Sequence, residues 1–290
     1  MDRPIVVTAS EPALLAAVAE AYGDCLMAGR VDGPPITLAL EAGHAPAGEP
    51  VQIEVDGRRL RLTGGAEGWA DARAVSAFCR IPRALAERPA RLAAEVTDTL
   101  LLFLLCRSGR TPLHAAGVMC GETAVLLAGP SGAGKSTLSL AAVARGLRIL
   151  SDDTVYIQML PRLRIWGLPR PVHVFPADAP GFIGETRLRG GKLKVAAPVP
   201  AWPGPQVADR AAVVLLERGE RVRLEPVERP VAAKALSRLE PGFDLLDRES
   251  AEAIAAVTAA GAWRLSLTRD PAAAIEVLAE RFSVGVDAAY

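Results

Sequence analysis

Apolar positions along this chain fall into short runs with two spacings. Residues 4–8, 36–40, 51–55 and 59–62 alternate or cluster over four or five positions, which is strand spacing, and Asp56-Gly57 marks a hairpin turn between the last two. Residues 11–22 (EPALLAAVAEAY) carry their apolar side chains at helical spacing and stop at Gly23. These elements predict a small α+β N-terminal domain over residues 1–92, with no dense cluster of reactive side chains. Within it Trp69 reads as a core residue and His44 as a loop residue. A helix is predicted over 90–107, with Leu92, Val96, Leu100, Phe103 and Leu104 on one stripe. It reads as the hinge between modules, and Ser108-Gly109-Arg110 breaks it.

From residue 113 the pattern changes to strand, turn, strand, helix. Residues 113–119 and 123–128 predict two strands joined by a tight turn at Cys120-Gly121-Glu122. In such a hairpin, positions whose numbers sum to about 242 face each other, which sets His114 opposite Ala128. Residues 138–145 predict a helix ended by Gly146, with strands over 147–150 and 154–159 after it. Residues 160–210 are rich in proline and glycine, with Arg162, Arg164, Arg170, Arg187, Arg189, Lys192 and Lys194 set among apolar residues. This stretch reads as a lid or substrate-binding flap, with Lys192 of Gly190-Gly191-Lys192 as its best anion contact and Arg170 as a second candidate. Strands over 211–217, 222–226 and 263–267 then alternate with helices over 230–239, 247–260 and 271–281, the pattern of an α/β sheet covered by helices.

Composition narrows the partners. Lys+Arg and Asp+Glu both number 33, so there is no net basic charge to hold nucleic acid or an anionic membrane surface. The longest purely apolar run, 100–106, falls far short of the ~20 residues of a membrane span. Residues 1–12 lack the apolar stretch of a signal peptide. Cys25, Cys79, Cys106 and Cys120 show no C-x-x-C spacing, which predicts inert thiols in a reduced, cytoplasmic setting.

The candidate chemistry is concentrated in Gly129-Pro130-Ser131-Gly132-Ala133-Gly134-Lys135-Ser136-Thr137, which matches G-x-x-x-x-G-K-[ST] and has a strand before it and a helix after it. Its glycines let backbone N–H groups turn inward as an anion nest, and the helix start adds about half a positive charge. Lys135 reaches the terminal phosphates of ATP in this reading, and the Ser136 hydroxyl ligates Mg2+. The right-handed crossover to 147–150 carries Ser151-Asp152-Asp153 to the same side of the sheet, beside the loop. Two adjacent carboxylates there require a shared cation, so one holds the metal and the other takes a proton from an attacking hydroxyl.

The string LHAAGV, the short hairpin, GPSGAGKST, a helix ending in Arg-Gly and then Ser-Asp-Asp resemble the catalytic domain of the HPr kinase/phosphorylase family, and more closely its smaller relatives, the HPr-kinase-like proteins, some of which phosphorylate lasso-peptide precursors. The resemblance is strong over about residues 110–160 and holds in outline to 282. It implies a phosphoenolpyruvate-carboxykinase-like P-loop kinase core with a mixed sheet, over 93–290. It implies Asp152 as the catalytic aspartate, Asp153 as the acid near magnesium, and His114 as the histidine of the strand before the loop. The expected reaction is transfer of the terminal phosphate of ATP to a serine-type hydroxyl on a peptide or protein, such as the C-terminal residue of a lasso-peptide precursor. HPr, a small-molecule acceptor, or a regulatory nucleotide-binding role are the alternatives. The bifunctional enzymes follow the double aspartate with an E-x-R-G-x-G segment, where residues 167–173 here read GLPRPVH, so the expectation is a kinase acting on a hydroxyl other than that of HPr. Those enzymes form hexamers, which leaves a homo-oligomer open.

Overall fold

The computed structural model describes residues 3–22, 34–43, 49–167, 172–176, 186–189, 192–197, 199, 206–237 and 247–283. The chain divides into two compact units, Met1–Arg110 and Thr111–Tyr290. The first contains β1 (Ile5–Ala9), α1 (Pro12–Tyr22), β2 (Ile36–Gly43), β3 (Val51–Asp56), β4 (Arg59–Gly64), β5 (Glu67–Asp71), β6 (Ser76–Pro82), α2 (Arg83–Ala86), α3 (Pro89–Leu92), a π-helical turn (Ala93–Thr97) and α4 (Asp98–Arg107). Its strands form one mixed sheet in the order β1-β2-β6-β5-β4-β3, with β1, β2 and β6 parallel.

Period-two alternation sorts the two faces of this sheet. Leu38, Leu40, Leu60, Leu62, Cys79 and Ile81 are buried, as are Leu92, Val96, Leu100, Phe103 and Leu104 of the helical stripe. The opposite face carries the Arg59–Asp71 and Arg80–Glu41 ion pairs and a stacked Trp69–Phe78 pair with ring centroids 6.4 Å apart. Trp69 is 45% exposed on this face, not in the core as its size suggests. The stripe helix packs against β5 and β6, so it belongs to the first unit, and the division falls one helix later than the expected 92/93 boundary. His44 and Cys25 lie outside the described residues.

The second unit continues with β7 (Arg110–Leu113), β8 (Ala116–Cys120), β9 (Thr123–Ala128), α5 (Lys135–Ala144), β10 (Ile149–Ser151), β11 (Val155–Gln158), β12 (Arg164–Trp166), β13 (Val172–Val174), β14 (Thr186–Arg189), β15 (Lys192–Ala197), β16 (Val207–Ala208), β17 (Arg210–Arg218), β18 (Arg223–Val227), α6 (Arg229–Ser237), α7 (Asp247–Val257), β19 (Ala262–Leu267) and α8 (Pro271–Phe282). A mixed sheet runs β10-β8-β9-β17-β19-β18, with β17 parallel to both β9 and β19, and with β8 and β18 antiparallel to their neighbours. Residues 124–128 are all fully buried, as a central strand covered on both faces must be. Alternate residues serve two cores. Val125 and Leu127 meet Leu138 and Ala142 of α5 and Leu278 of α8, whereas Leu126 joins the cluster that includes Leu236 of α6 and Ile254 of α7.

The proline- and glycine-rich stretch is described only in part. Its described parts supply β12 and β16 to a second sheet, β16-β12-β11-β7, and build a third, β13-β15-β14. Among the described residues no helix is long and apolar enough to cross a membrane. Cys79, Cys106 and Cys120 are buried, and burial pushes the Cys79 thiol to about 12 and that of Cys120 to about 11, which makes both poor nucleophiles.

Candidate functional site

Three elements converge at the carboxyl ends of the central strands. The first is the loop from β9 into α5. Gly132 and Gly134 have φ of +85° and +111°, a region that side chains with a Cβ rarely enter, so the turn into the helix requires these glycines. Lys135, the first helical residue, is buried and folds back to donate to the Gly129 carbonyl at 2.7 Å. Burial lowers its pKa, the Asp153 and Asp152 charges raise it, and the nearby Lys194 ammonium lowers it.

The second element is β10 with the turn after it. β10 pairs antiparallel with β8, which pairs antiparallel with β9, so β9 and β10 point the same way with β8 between them. The crossover through α5 therefore delivers Asp152 beside the loop. Asp152 Oδ2 accepts from Ser136 Oγ at 3.0 Å and from the His173 backbone N–H at 3.2 Å. Asp152 Oδ1 is buried and has no hydrogen-bond partner among the described residues. Burial pushes this carboxyl above the usual carboxylate range. The His173 N–H, the Ser136 hydroxyl and, with no normal hydrogen-bond geometry, the Ser139 hydroxyl pull it back, and the Asp153 charge pushes it further up. Two glycines make room for this turn. A Cβ on Gly167 would stand 2.0 Å from the Leu150 carbonyl oxygen, and one on Gly117 would stand 3.0 Å from Leu150 Cβ.

The third element is the break between β7 and β8. The single strand expected over 113–119 is two strands in two sheets, bent at His114-Ala115 by an Ala115 N–H to Leu113 carbonyl bond of 2.9 Å. The hairpin register runs from Cys120↔Thr123 to Ala116↔Leu127, a sum of 243, so His114 lies beyond the ladder and not across from Ala128. The bend still turns it to the loop. His114 Nδ1 is 3.5 Å from Asp153 Oδ1, with side-chain exposures of 22% and 67%. Burial lowers the pKa of His114, Asp153 raises it and Lys135 lowers it.

Loop, Asp152, Asp153 and His114 thus come together. Arg170 lies outside the described residues, and Lys192 starts β15 with a side chain that is likewise not described. The basic residue of that strand that reaches the loop electrostatically is Lys194, whose ammonium sits 5.8 Å from the Phe175 ring centroid. In the sequence Lys192 and Lys194 stand two positions apart, a spacing that names the pair without choosing between them. His173, which matters here through its backbone, leaves no mark in the sequence. Arg218 is the last residue of β17. Its Nη2 stands 3.9 Å from where a Gly134 Cβ would be, over the start of α5.

On the β17 side of the loop, away from Asp152, a cavity of about 200 Å³ is lined by Ala128, Pro130, Leu216 and Ala235, with the Glu217–Arg264 ion pair (3.3 Å) on its wall. The donor set suits a hard cation shared with phosphate. Ser136 Oγ and the orphaned Asp152 Oδ1 are oxygens, and magnesium in such sites takes one or two protein oxygens plus substrate phosphates. Among the described residues there is no cluster of three or more His, Cys, Asp or Glu that could form an all-protein metal site.

No protein-family model matches the chain, and no curated protein matches it. Among solved structures it is similar to the HPr(Ser) kinase/phosphatase from Coxiella burnetii, at 15% identity and a TM-score of 0.30, over 59% of this chain and 95% of that one.

Proposed function

We propose that the second unit is an ATP- and magnesium-dependent phosphotransferase that moves the terminal phosphate to a hydroxyl group. One observation carries this reading: Ser136 of the loop is hydrogen-bonded at 3.0 Å to a buried aspartate in the turn that follows the crossover strand β10. A simple anion nest has no use for a buried acid, whereas a phosphate loop that works with a cation does. The loop amides and Lys135 hold the phosphates, with the terminal one toward Asp152 and the nucleoside toward β17. On that side lie Arg218 and the 200 Å³ cavity, taken as about the size of part of a nucleoside. Magnesium bound at Ser136 would neutralise charge that builds on the transferring group.

The acceptor in this proposal is a serine-type hydroxyl on a peptide or protein, supported by the run of LHAAGV, GPSGAGKST and Ser-Asp-Asp that resembles the lasso-precursor kinases. Positioning and charge neutralisation supply most of the rate in this chemistry, with little covalent work left to the protein. Calorimetric titration with ADP and Mg2+ tests the nucleotide site. Wild type binds, and Lys135→Ala binds at least about tenfold more weakly, as loss of a charged phosphate contact predicts. Equal affinity for both proteins would remove the loop from the reading.

A further inference from the structure

Resting on the phosphotransferase reading, we propose that Lys194 of β15 is a second phosphate-binding cation, which closes with Lys135 on the γ-phosphate and makes the β13-β15-β14 sheet part of the site.

Backbone register places this side chain. β13 and β15 pair antiparallel from Val172↔Ala197 to Val174↔Val195. The His173 N–H, in the middle of that ladder, is given to Asp152 Oδ2 at 3.2 Å. β13 is therefore tied along its outer edge to the acid that also accepts from Ser136 of the loop. It follows that His173 and Ala196 form a non-hydrogen-bonded pair. Continuing the register, Phe175 faces Lys194 at the next such pair, where side chains approach most closely. The Lys194 ammonium accordingly lies 5.8 Å from the Phe175 ring centroid, within cation–π reach. The residues between them in the ladder serve the opposite face. Val172, Val174 and Ala197 are buried with Leu140 of α5 packed on them, and α5 is the helix that opens with Lys135. A sheet fastened by its edge to Asp152 and by its face to α5 thus carries Lys194 towards the loop.

The charges there call for an anion. The Lys194 ammonium lowers the pKa of Lys135, so the two cations feel each other. Lys135 has the Asp153 and Asp152 charges to offset that repulsion. Among the described residues Lys194 has no ion-pair partner, and its contact is the Phe175 ring. A cation steadied by a ring and set near a second cation suits a ligand of opposite sign, and ATP brings a γ-phosphate that ADP lacks. In the transfer step the acceptor oxygen bonds to the γ-phosphorus as the bond from that phosphorus to the β–γ bridging oxygen breaks. ADP leaves with the electron pair, and the hydroxyl proton passes to solvent. Lys194 stays protonated throughout. It donates to the γ-phosphate oxygens and offsets the charge they present to the incoming oxygen.

Because the contact is to a phosphate that only ATP carries, two nucleotides separate it from a structural role. The full-length protein is titrated calorimetrically with ADP and with the β,γ-imido analogue of ATP, each with Mg2+, as wild type, Lys194→Met and Lys194→Gln. Both variants should bind ADP within about twofold of wild type and the analogue at least about tenfold more weakly, as loss of a charge-assisted contact predicts. Release of phosphate from ATP, with water as acceptor, should fall about a hundredfold in both. Equal weakening towards ADP and the analogue would make Lys194 a structural residue and overturn the proposal. Wild-type affinity for the analogue in either variant, or wild-type phosphate release, would overturn it as well. ADP affinity serves as the folding control, because a misfolded variant loses both nucleotides. A wild-type protein that binds neither nucleotide removes the phosphotransferase reading itself, a different failure with a different signature.

Discussion

At the scale of single residues, burial of Asp152 gives the second unit a pH-dependent contribution to stability. Burial raises its folded-state pKa above the ordinary value of about 3.8, so between those two values the folded chain binds more protons than the unfolded one. Stability from this group is therefore present in acid, falls as pH climbs through the window, and is missing above the folded pKa. Replacing the carboxylate by its neutral isostere removes that loss. Asp152→Asn, without nucleotide or metal, should melt higher than wild type at pH 7, with the gap closing as pH drops towards about 4. Melting curves across pH read this directly, and a variant that melts lower than wild type at pH 7 would mean that the hydrogen bonds from Ser136 and His173 outweigh the burial cost. Gly167 carries a steric prediction. The Leu150 carbonyl oxygen sits 2.0 Å from its would-be Cβ, and both are backbone-fixed, so Gly167→Ala should cost about 1–3 kcal/mol and displace the turn that holds Asp152. Denaturant midpoints give the cost, and an unchanged midpoint would show that the backbone yields freely there.

At the scale of elements, what was legible in the sequence was what is contiguous. The loop from Gly129 to Thr137 announces itself because every residue it needs is adjacent, and the acid pair is reached by one crossover whose handedness is a rule. The bend at His114-Ala115 was not legible, since LHAAGV reads as one apolar run whether its residues serve one sheet or two. β5 and β6 went unseen for a related reason. Glu67–Asp71 has a single large apolar residue, Trp69, and that residue lies on the exposed face. The strands of 160–210 were hidden by prolines and glycines that sit between them. Helix α8, by contrast, was plain: Asp270 caps it, accepting from the Ala272 and Ala273 N–H groups at 3.0 and 3.3 Å, and Pro271 opens its first turn. Asp270→Ala should therefore lower stability by about 0.5–2 kcal/mol without touching nucleotide affinity. Chemical denaturation beside an ADP titration separates the two, and a fall in affinity would tie the helix start to the site.

At the scale of the molecule, the two units each bury a core of their own, so the chain should behave as two folding bodies. Residues 1–110 expressed alone should unfold cooperatively and bind no ADP, whereas a non-cooperative melt would show that their sheet depends on the rest of the chain. The proposed chemistry belongs to the second unit, where the Gly129–Thr137 loop, a buried acid tied to it and an exposed acid–histidine pair come together. The account's central claim is that this site transfers phosphate, and labelled ATP tests it most directly. Wild type and Lys135→Ala are incubated with ATP labelled at the γ-phosphate, Mg2+ and a panel of serine-terminated peptides, and the position of the label is read by mass spectrometry. The account predicts label on a peptide hydroxyl with wild type and none with Lys135→Ala. Label that stays on ATP with wild type, or moves equally well with Lys135→Ala, would contradict it.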